Sequence, residues 1–520
     1  MAYGTQSLHR LVQRAPDGLA SIDGPRRRSW AEVKAAAQAI AGALLRSGVK
    51  PGDRVALLAG NGDLHLDYVL GVFWAGAVIN PVNTRWSPLE IAFSLEDCET
   101  RLLIVDDRFA ALIPKIWQAA PGLNLVVQRG GAPIGDVVAF DQWIEGAPRP
   151  EDVRASDAAL AAVLYTGGTT GRPKGVMLSH ANLLSSATGY LAFPGARPGS
   201  RYLHVAPLFH IGALSGMFTS LMAGATQVFL PAFDPGSFIE TTASAQVSDV
   251  FLVPSMLRAV LSDPAFAPAR LNSLERIVYG GSSIDDALLD QAMNALPGVA
   301  FVQAYGMTEL SPIATMLGPE DHSEAARRQG RGRSAGRATT STEVRIVDAH
   351  GQEVPRGDRG EIVVKGGGVM LGYWGLADET SAALREGWMH TGDVGWMDDQ
   401  GYVTVVDRLK DMIVTGGENV YSAEVENALT AHPAVSQAAV IGLPDDRWGE
   451  RVHACVVLAP GCSATPEALR EHCRTLIAGY KIPKTLALVE ALPLSPAGKV
   501  LKTELRARCA ACQVRPDTLT

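Results

Sequence analysis

The sequence predicts an α/β protein: a large N-terminal domain of βαβ-type sheets with helices, a small β-rich subdomain, and a small α+β C-terminal domain. Three observations carry this expectation. Short apolar, β-branched runs alternate with longer Ala- and Leu-rich amphipathic segments for most of the length, as in parallel sheets flanked by helices. After Arg345 the texture changes to short strand-like runs bounded by Gly, Pro and Asp turns. Near Asp407 it changes again, to a mixed unit of about a hundred residues. The domains are therefore drawn as 1–409 and 410–520.

The elements follow in order. Ser29 to Leu45 reads as a helix with Ser29 as cap, Glu32 three positions on, and Gly48 past its end. Arg54–Leu58 is a strand, Asp67–Gly76 a helix, Val78-Ile79 the start of a strand, Pro88–Glu96 a helix and Leu102–Val105 a strand. Ala158–Tyr165 is a continuous apolar run read as a buried strand, and Arg276–Tyr279 is another. Tyr202 to Phe233 holds no Asp, Glu, Lys or Arg, yet His204, Pro207, His210, Gly212, Gly216, Gly224 and Pro231 interrupt it, so it is read as buried α/β layers and not as a membrane span. In the C-terminal unit, Met412–Val414 is a strand, Ala423–Thr430 a helix, Ala438–Ile441 and Ala454–Leu458 are strands, and Pro466–Ile477 is a helix.

Composition narrows the function classes. The 520 residues carry a net charge of −8 and no dominant basic stripe, so nucleic acid is a poor candidate partner. Apolar residues make up 47% and charged ones 19%, the latter below the globular average of about 25%, which excludes disorder and favours a core-rich enzyme. Six cysteines are too sparse for a disulfide framework, and with no secretory start in MAYGTQSLHR the expected location is the cytoplasm. Cys509-Ala-Ala-Cys512 is a lone CxxC with no second pair and no neighbouring His in ligand register, so it reads as two small residues on a terminal helix. A homodimer is compatible with the sequence, which does not set the oligomeric state.

The chemistry concentrates where the apolar run at 158–165 opens into Thr166-Gly167-Gly168-Thr169-Thr170-Gly171-Arg172-Pro173-Lys174-Gly175. Glycines let backbone N–H groups turn toward an anion, threonine hydroxyls add donors, and Lys174 and Arg172 add charge, which together suit phosphate. Arg172 and Pro173 intervene where a Walker A loop would continue, so it is not that motif. On composition alone the loop could be a flexible turn, Glu309 a solvated carboxylate, Tyr305 plain core, Asp393 a turn residue and His210 a core histidine.

The wording YTGGTTGRPKG resembles the signature of the adenylate-forming superfamily of acyl-CoA synthetases, peptide-synthetase adenylation domains and luciferases. Tyr305-Gly306-Met307-Thr308-Glu309, Thr391-Gly392-Asp393, Asp407-Arg408-Leu409-Lys410-Asp411 and Gly498-Lys499 resemble its later motifs, in the same order. The resemblance implies activation of a carboxylic acid with ATP and Mg²⁺, then transfer of the acyl group to coenzyme A, with a mobile C-terminal domain. It implies that Thr166 to Gly171, Lys174 and Thr308 face the phosphates, that Glu309 holds Mg²⁺, and that Tyr305, Gly306, Gly281 and Ser282 line adenine and the acyl group. Asp393 with Arg408 is implied at the ribose, and Lys499 as the ammonium between carboxylate and α-phosphate, with Lys502 a nearby rival. Lys410 is implied as the hinge on which the domain turns to present Gly417, Glu418 and Asn419 for the second half-reaction. His210, within Pro207–Gly212, is implied to border the acyl pocket and thiol tunnel.

Arg327, Arg328, Arg331 and Arg333 are read as a solvated basic loop. The reading favours a medium- to long-chain fatty acid, with benzoate- or hydroxycinnamate-type acids next. A stand-alone enzyme loading a carrier protein is the alternative acceptor, and a nucleotide-binding regulator without turnover is the alternative from another class.

Overall fold

The computed structural model of the protein describes residues 3–166, 173–193, 197–282, 284–408, 411–415, 418–445, 448–495 and 500–513. Among them the chain divides into two compact units. One comprises 1–281, 292–344 and 364–389; the other comprises 282–291, 345–363 and 390–520.

The first unit is built on two large α/β sheets. One orders its strands 337–338, 313–317, 300–306, 276–280, 249–252, 201–204, 226–229, 19–23 and 26–29. The six strands from 300–306 to 19–23 are parallel to their neighbours, and antiparallel strands close both sides. The other runs 372–373, 174–179, 160–166, 78–81, 54–58, 102–106, 125–129 and 138–139, parallel from 78–81 outward. Parallel strands with both faces covered need continuous apolar runs, and Val55 to Leu58 and Leu102 to Val105 are accordingly buried throughout.

Local signals place most helices. Trp30–Arg46 starts at Ser29, whose hydroxyl accepts the Glu32 N–H while the Glu32 carboxylate accepts the Ser29 N–H at 2.7 Å. Pro88–Asp97 repeats this with Ser87 and Glu90. The helix expected from Asp67 begins a turn earlier, spanning Asp63–Trp74. Asp63 and Asp67 are both buried against distant partners: Arg28 donates to the two Asp67 oxygens at 2.8 and 2.7 Å, and Arg26 pairs with Asp63 Oδ2 at 2.8 Å. Ion pairing offsets part of the cost of burying the carboxylates, so the helix extends through them.

The uncharged stretch after Tyr202 is the strand Arg201–His204, the helix Ile211–Ala223 and the strand Thr226–Phe229, layered as expected. Among the described residues no helix is long and apolar enough to cross a membrane. The β-rich texture after Arg345 appears as strands 342–347, 360–366, 388–397 and 403–408 of one five-stranded sheet.

The second unit contains a further sheet in the order 418–420, 413–415, 449–458, 435–445, with 485–488 paired to 449–458. The strand expected at 438–441 is the central part of Val435–Asp445, that at 454–458 is the second half of Gly449–Leu458, and the helix expected to reach Ile477 ends at Arg474. Strand alternation separates two cores. Val452, Ala454 and Val456 pack with Val425 and Leu429 of the Ser422–Thr430 helix and Leu469 and Cys473 of the Pro466–Arg474 helix. Cys455 and Val457 point the other way, toward Leu505 and Cys509 of the Lys502–Gln513 helix.

Candidate active site

Ligands of open parallel sheets bind beyond the carboxyl ends of the strands. In the nine-stranded sheet the strands ending at His204, Leu252, Gly280 and Gly306 are consecutive neighbours, so their carboxyl ends form one edge. Glycine is required there by close backbone approach. A Cβ on Gly280 would lie 2.3 Å from the Ala304 carbonyl oxygen, and one on Gly306 would lie 1.8 Å from that of Pro312. Gly281 follows with φ +80°, the left-handed region. Tyr305 and Gly306 end their strand at this edge, half-buried, and Thr308 and Glu309 form the short 3-10 turn that follows.

The residues flanking the glycine- and threonine-rich loop lie in the other sheet of the same unit. Thr166 ends one strand and Lys174 begins the next, directly opposite in antiparallel register. Gly167, Gly168, Thr169, Thr170, Gly171 and Arg172 lie outside the described residues. The Lys174 ammonium stands 5.0 Å from the centre of the Tyr373 ring, and the Tyr373 hydroxyl donates to Glu309 Oε1 at 2.8 Å. Burial, and then the adjacent Glu309 carboxylate, push the Tyr373 phenol far above its ordinary range, so it stays a donor. Lys174, Tyr373 and Glu309 thus form one polar chain, and Glu309 is only 7% exposed. A buried carboxylate anchored by a neutral hydroxyl is a hard oxygen donor, which fits Mg²⁺.

Sequence reasoning did not find Tyr373. Its place depends on the two-residue strand Gly372–Tyr373 pairing with Met177 and Val176, and only the Gly-Tyr-Trp wording hinted at it. Asn61 was also missed. It is buried, its amide nitrogen donates to the carbonyls of His204 and Ala206 at 3.2 and 2.9 Å, and its oxygen accepts the Leu208 N–H at 3.0 Å. That clamp fixes the turn that delivers His210 to the N-cap of the Ile211–Ala223 helix. Beside this helix, the Tyr202 phenol fills the space next to Gly216, where a Cβ would come within 2.4 Å of its oxygen.

In the second unit, Asp393 and Arg408 are Cα partners across the 388–397 and 403–408 strands. Asp393 is buried, and the bend before it is held by Glu361, which accepts the Gly392 N–H at 3.0 Å and pairs with His390 Nδ1 at 2.8 Å. Ser282 also falls in this unit. Glu418 and Asn419 sit in a short strand paired with Thr415 and Val414. Lys410, Gly417 and Lys499 lie outside the described residues. Lys502 is committed elsewhere: it pairs with Glu426 at 2.8 Å and donates to the Ser422 hydroxyl, which itself donates to Asp407 at 2.7 Å.

Comparison with known proteins identifies the family. The profile of the AMP-binding enzymes matches residues 8–374, and that of the AMP-binding enzyme C-terminal domain matches 424–499. A feruloyl-CoA synthase of Amycolatopsis is 39% identical, covering 96% of this chain and 97% of its own. A long-chain-fatty-acid–CoA ligase of Mycobacterium tuberculosis is 36% identical over 93% of this chain and 94% of its own. Among solved structures, ATP-bound MatB of Rhodopseudomonas palustris superposes with a TM-score of 0.88 at 30% identity, covering 98% of this chain and 99% of that one. An anthranilate–CoA ligase holding anthranoyl-AMP reaches a TM-score of 0.92 at 27% identity, covering 99% and 98%. The substrates ATP and coenzyme A, with Mg²⁺, fit the chain as they fit this group. The chain belongs to the AMP-binding enzymes of the adenylate-forming superfamily and is an AMP-forming acyl-CoA synthetase.

Proposed function

We propose that the protein joins an uncharged, apolar carboxylic acid to coenzyme A, a medium- to long-chain fatty acid first, through an enzyme-bound acyl-adenylate. Acid and ATP give acyl-AMP and pyrophosphate; the CoA thiol then displaces AMP. The observation that supports the reading is the Lys174–Tyr373–Glu309 chain, in which one phenol links a lysine at the start of the 174–179 strand to the buried carboxylate of the turn after the 300–306 strand. Mg²⁺ held by Glu309 would offset phosphate charge as it develops. Thr166, Lys174 and Thr308, with Gly167, Gly168, Thr169, Thr170 and Gly171, would orient the phosphates for in-line attack. Tyr305, Gly306, Gly281 and Ser282 would border adenine and the acid, and Asp393 with Arg408 would accept the ribose hydroxyls. Lys499 would supply the ammonium for the first step only; the engagement of Lys502 with Glu426 and Ser422 supports it over that neighbour. Rotation of 410–520 about Lys410 would then bring Gly417, Glu418 and Asn419 to the nucleotide, with His210 at the path of the thiol.

For the acid, the support is the Ile211–Ala223 helix, which carries no charged residue. A second reading, a hydroxycinnamate-type aryl acid, is favoured by the 39% identical feruloyl-CoA synthase and by the Tyr202 phenol that closes the space beside Gly216. A panel of aliphatic acids of rising chain length and of aryl acids, assayed by thioester formation, separates them. Preference for the aliphatic series supports the first reading, and a best substrate with an aromatic ring selects the second.

A further inference from the structure

We propose a metal site in the second unit, outside the ligase machinery, in which His453, Cys455 and Cys509 bind one Zn²⁺-class cation. The CxxC near the C-terminus lacks a ligand partner in sequence; the fold supplies one in space. His453 and Cys455 are two apart on the Gly449–Leu458 strand and so share a face. Leu505 and Cys509, one helical turn apart on the Lys502–Gln513 helix, cover that face. The ligand atoms of His453, Cys455 and Cys509 all lie within 4.8 Å of one another, and Cys455 Sγ is 3.7 Å from His453 Nε2. With Zn–S of about 2.3 Å and Zn–N of about 2.0 Å, tetrahedral coordination sets S···N near about 3.6 Å and S···S near about 3.8 Å, so small side-chain shifts would close the site.

The imidazole is already oriented for ligation. Its Nδ1 is 2.7 Å from the Thr485 hydroxyl on the adjacent strand, which leaves Nε2 turned to the thiols, the outer-shell arrangement metal-binding histidines use. Two thiols and an imidazole favour a borderline or soft cation over Mg²⁺ or Ca²⁺. On binding, each thiol would release its proton to solvent, giving two thiolates on the divalent ion. The ion would pin the last described helix to the sheet.

The test uses the full-length, reduced protein and Co²⁺ as a spectroscopic probe, with competition by Zn²⁺. The expected result is one Co²⁺ per chain with thiolate charge-transfer and tetrahedral visible bands, bleached by Zn²⁺. Binding should weaken at least about a hundredfold in Cys509→Ser, Cys509→Ala and His453→Gln, and remain unchanged in Cys462→Ser, the exposed cysteine elsewhere in the unit. Far-UV circular dichroism and pyrophosphate release, unchanged in the Cys509 variants, would exclude loss of the fold. Absence of these bands in the parent, their persistence in Cys509→Ser and His453→Gln, or their loss in Cys462→Ser would overturn the site. The ligase reading stands or falls separately, since the probe reads no turnover.

Discussion

If Glu309 holds Mg²⁺ as proposed, its carboxylate has to be held still while phosphates approach, and the Tyr373 hydroxyl is one group that anchors it. Hydrogen bonds to charged groups contribute about 1.5–3 kcal/mol. Tyr373→Phe removes the donor but keeps the ring under Lys174, so pyrophosphate release should fall roughly ten- to a hundredfold by that magnitude. The loss should be eased by raised Mg²⁺, with the thermal midpoint nearly unchanged. An equal loss at every Mg²⁺ concentration would mean that Tyr373 does not act through a metal held by Glu309. Glu309 and Lys174 could be named from motif wording, which requires no knowledge of their contacts. Tyr373 and Asn61 were not, because each acts on residues far away in sequence through a contact that exists only once the strands are paired or the turn is closed.

Elements ended where chemistry within four residues of the terminus decided it, and the sequence showed those ends well: the Ser29 and Ser87 capping boxes sit where the helices begin. It misplaced the Asp63–Trp74 helix by a turn, because partners 35 or more residues away neutralise its acidic start, which no local pattern reveals. The strand end at Gly306 was not read from the sequence, because the close backbone approach that sets it exists only in the fold. Gly306→Ala would drive a Cβ into the Pro312 carbonyl, a backbone group that cannot swing aside. The expected cost is about 1–3 kcal/mol, read as a lower denaturation midpoint together with loss of adenylation. Wild-type stability in this variant would mean that the turn after the strand is looser than described. At the Lys502–Gln513 helix, Lys502→Ala should cost stability by breaking its pair with Glu426, while leaving pyrophosphate release within about twofold, the range of a minor surface-charge change. Loss of adenylation with intact stability would reassign the catalytic role to Lys502.

Across the whole molecule, stability should depend on pH through histidines buried as neutral rings. Burial lowers His65 to about 3 and His204 and His180 to about 4, against an ordinary value of about 6.5. Above pH 6.5 the folded and unfolded chains agree in leaving them neutral, and the stability is fully present. As pH falls from about 6.5 toward 4 the unfolded chain takes up protons that the folded one refuses, so the melting temperature should hold steady from pH 8 to 7 and drop through that window. A flat profile down to pH 4 would contradict this. The two half-reactions provide a second whole-molecule prediction: Lys499→Ala should nearly abolish adenylation yet spare thioester formation from supplied acyl-adenylate, and Lys410→Pro should do the reverse. The measurement that tests the central claim most directly is product analysis by mass from acid, ATP, Mg²⁺ and coenzyme A. The account predicts acyl-CoA, AMP and pyrophosphate in equal amounts. ADP with phosphate, or pyrophosphate without any CoA thioester, would contradict it.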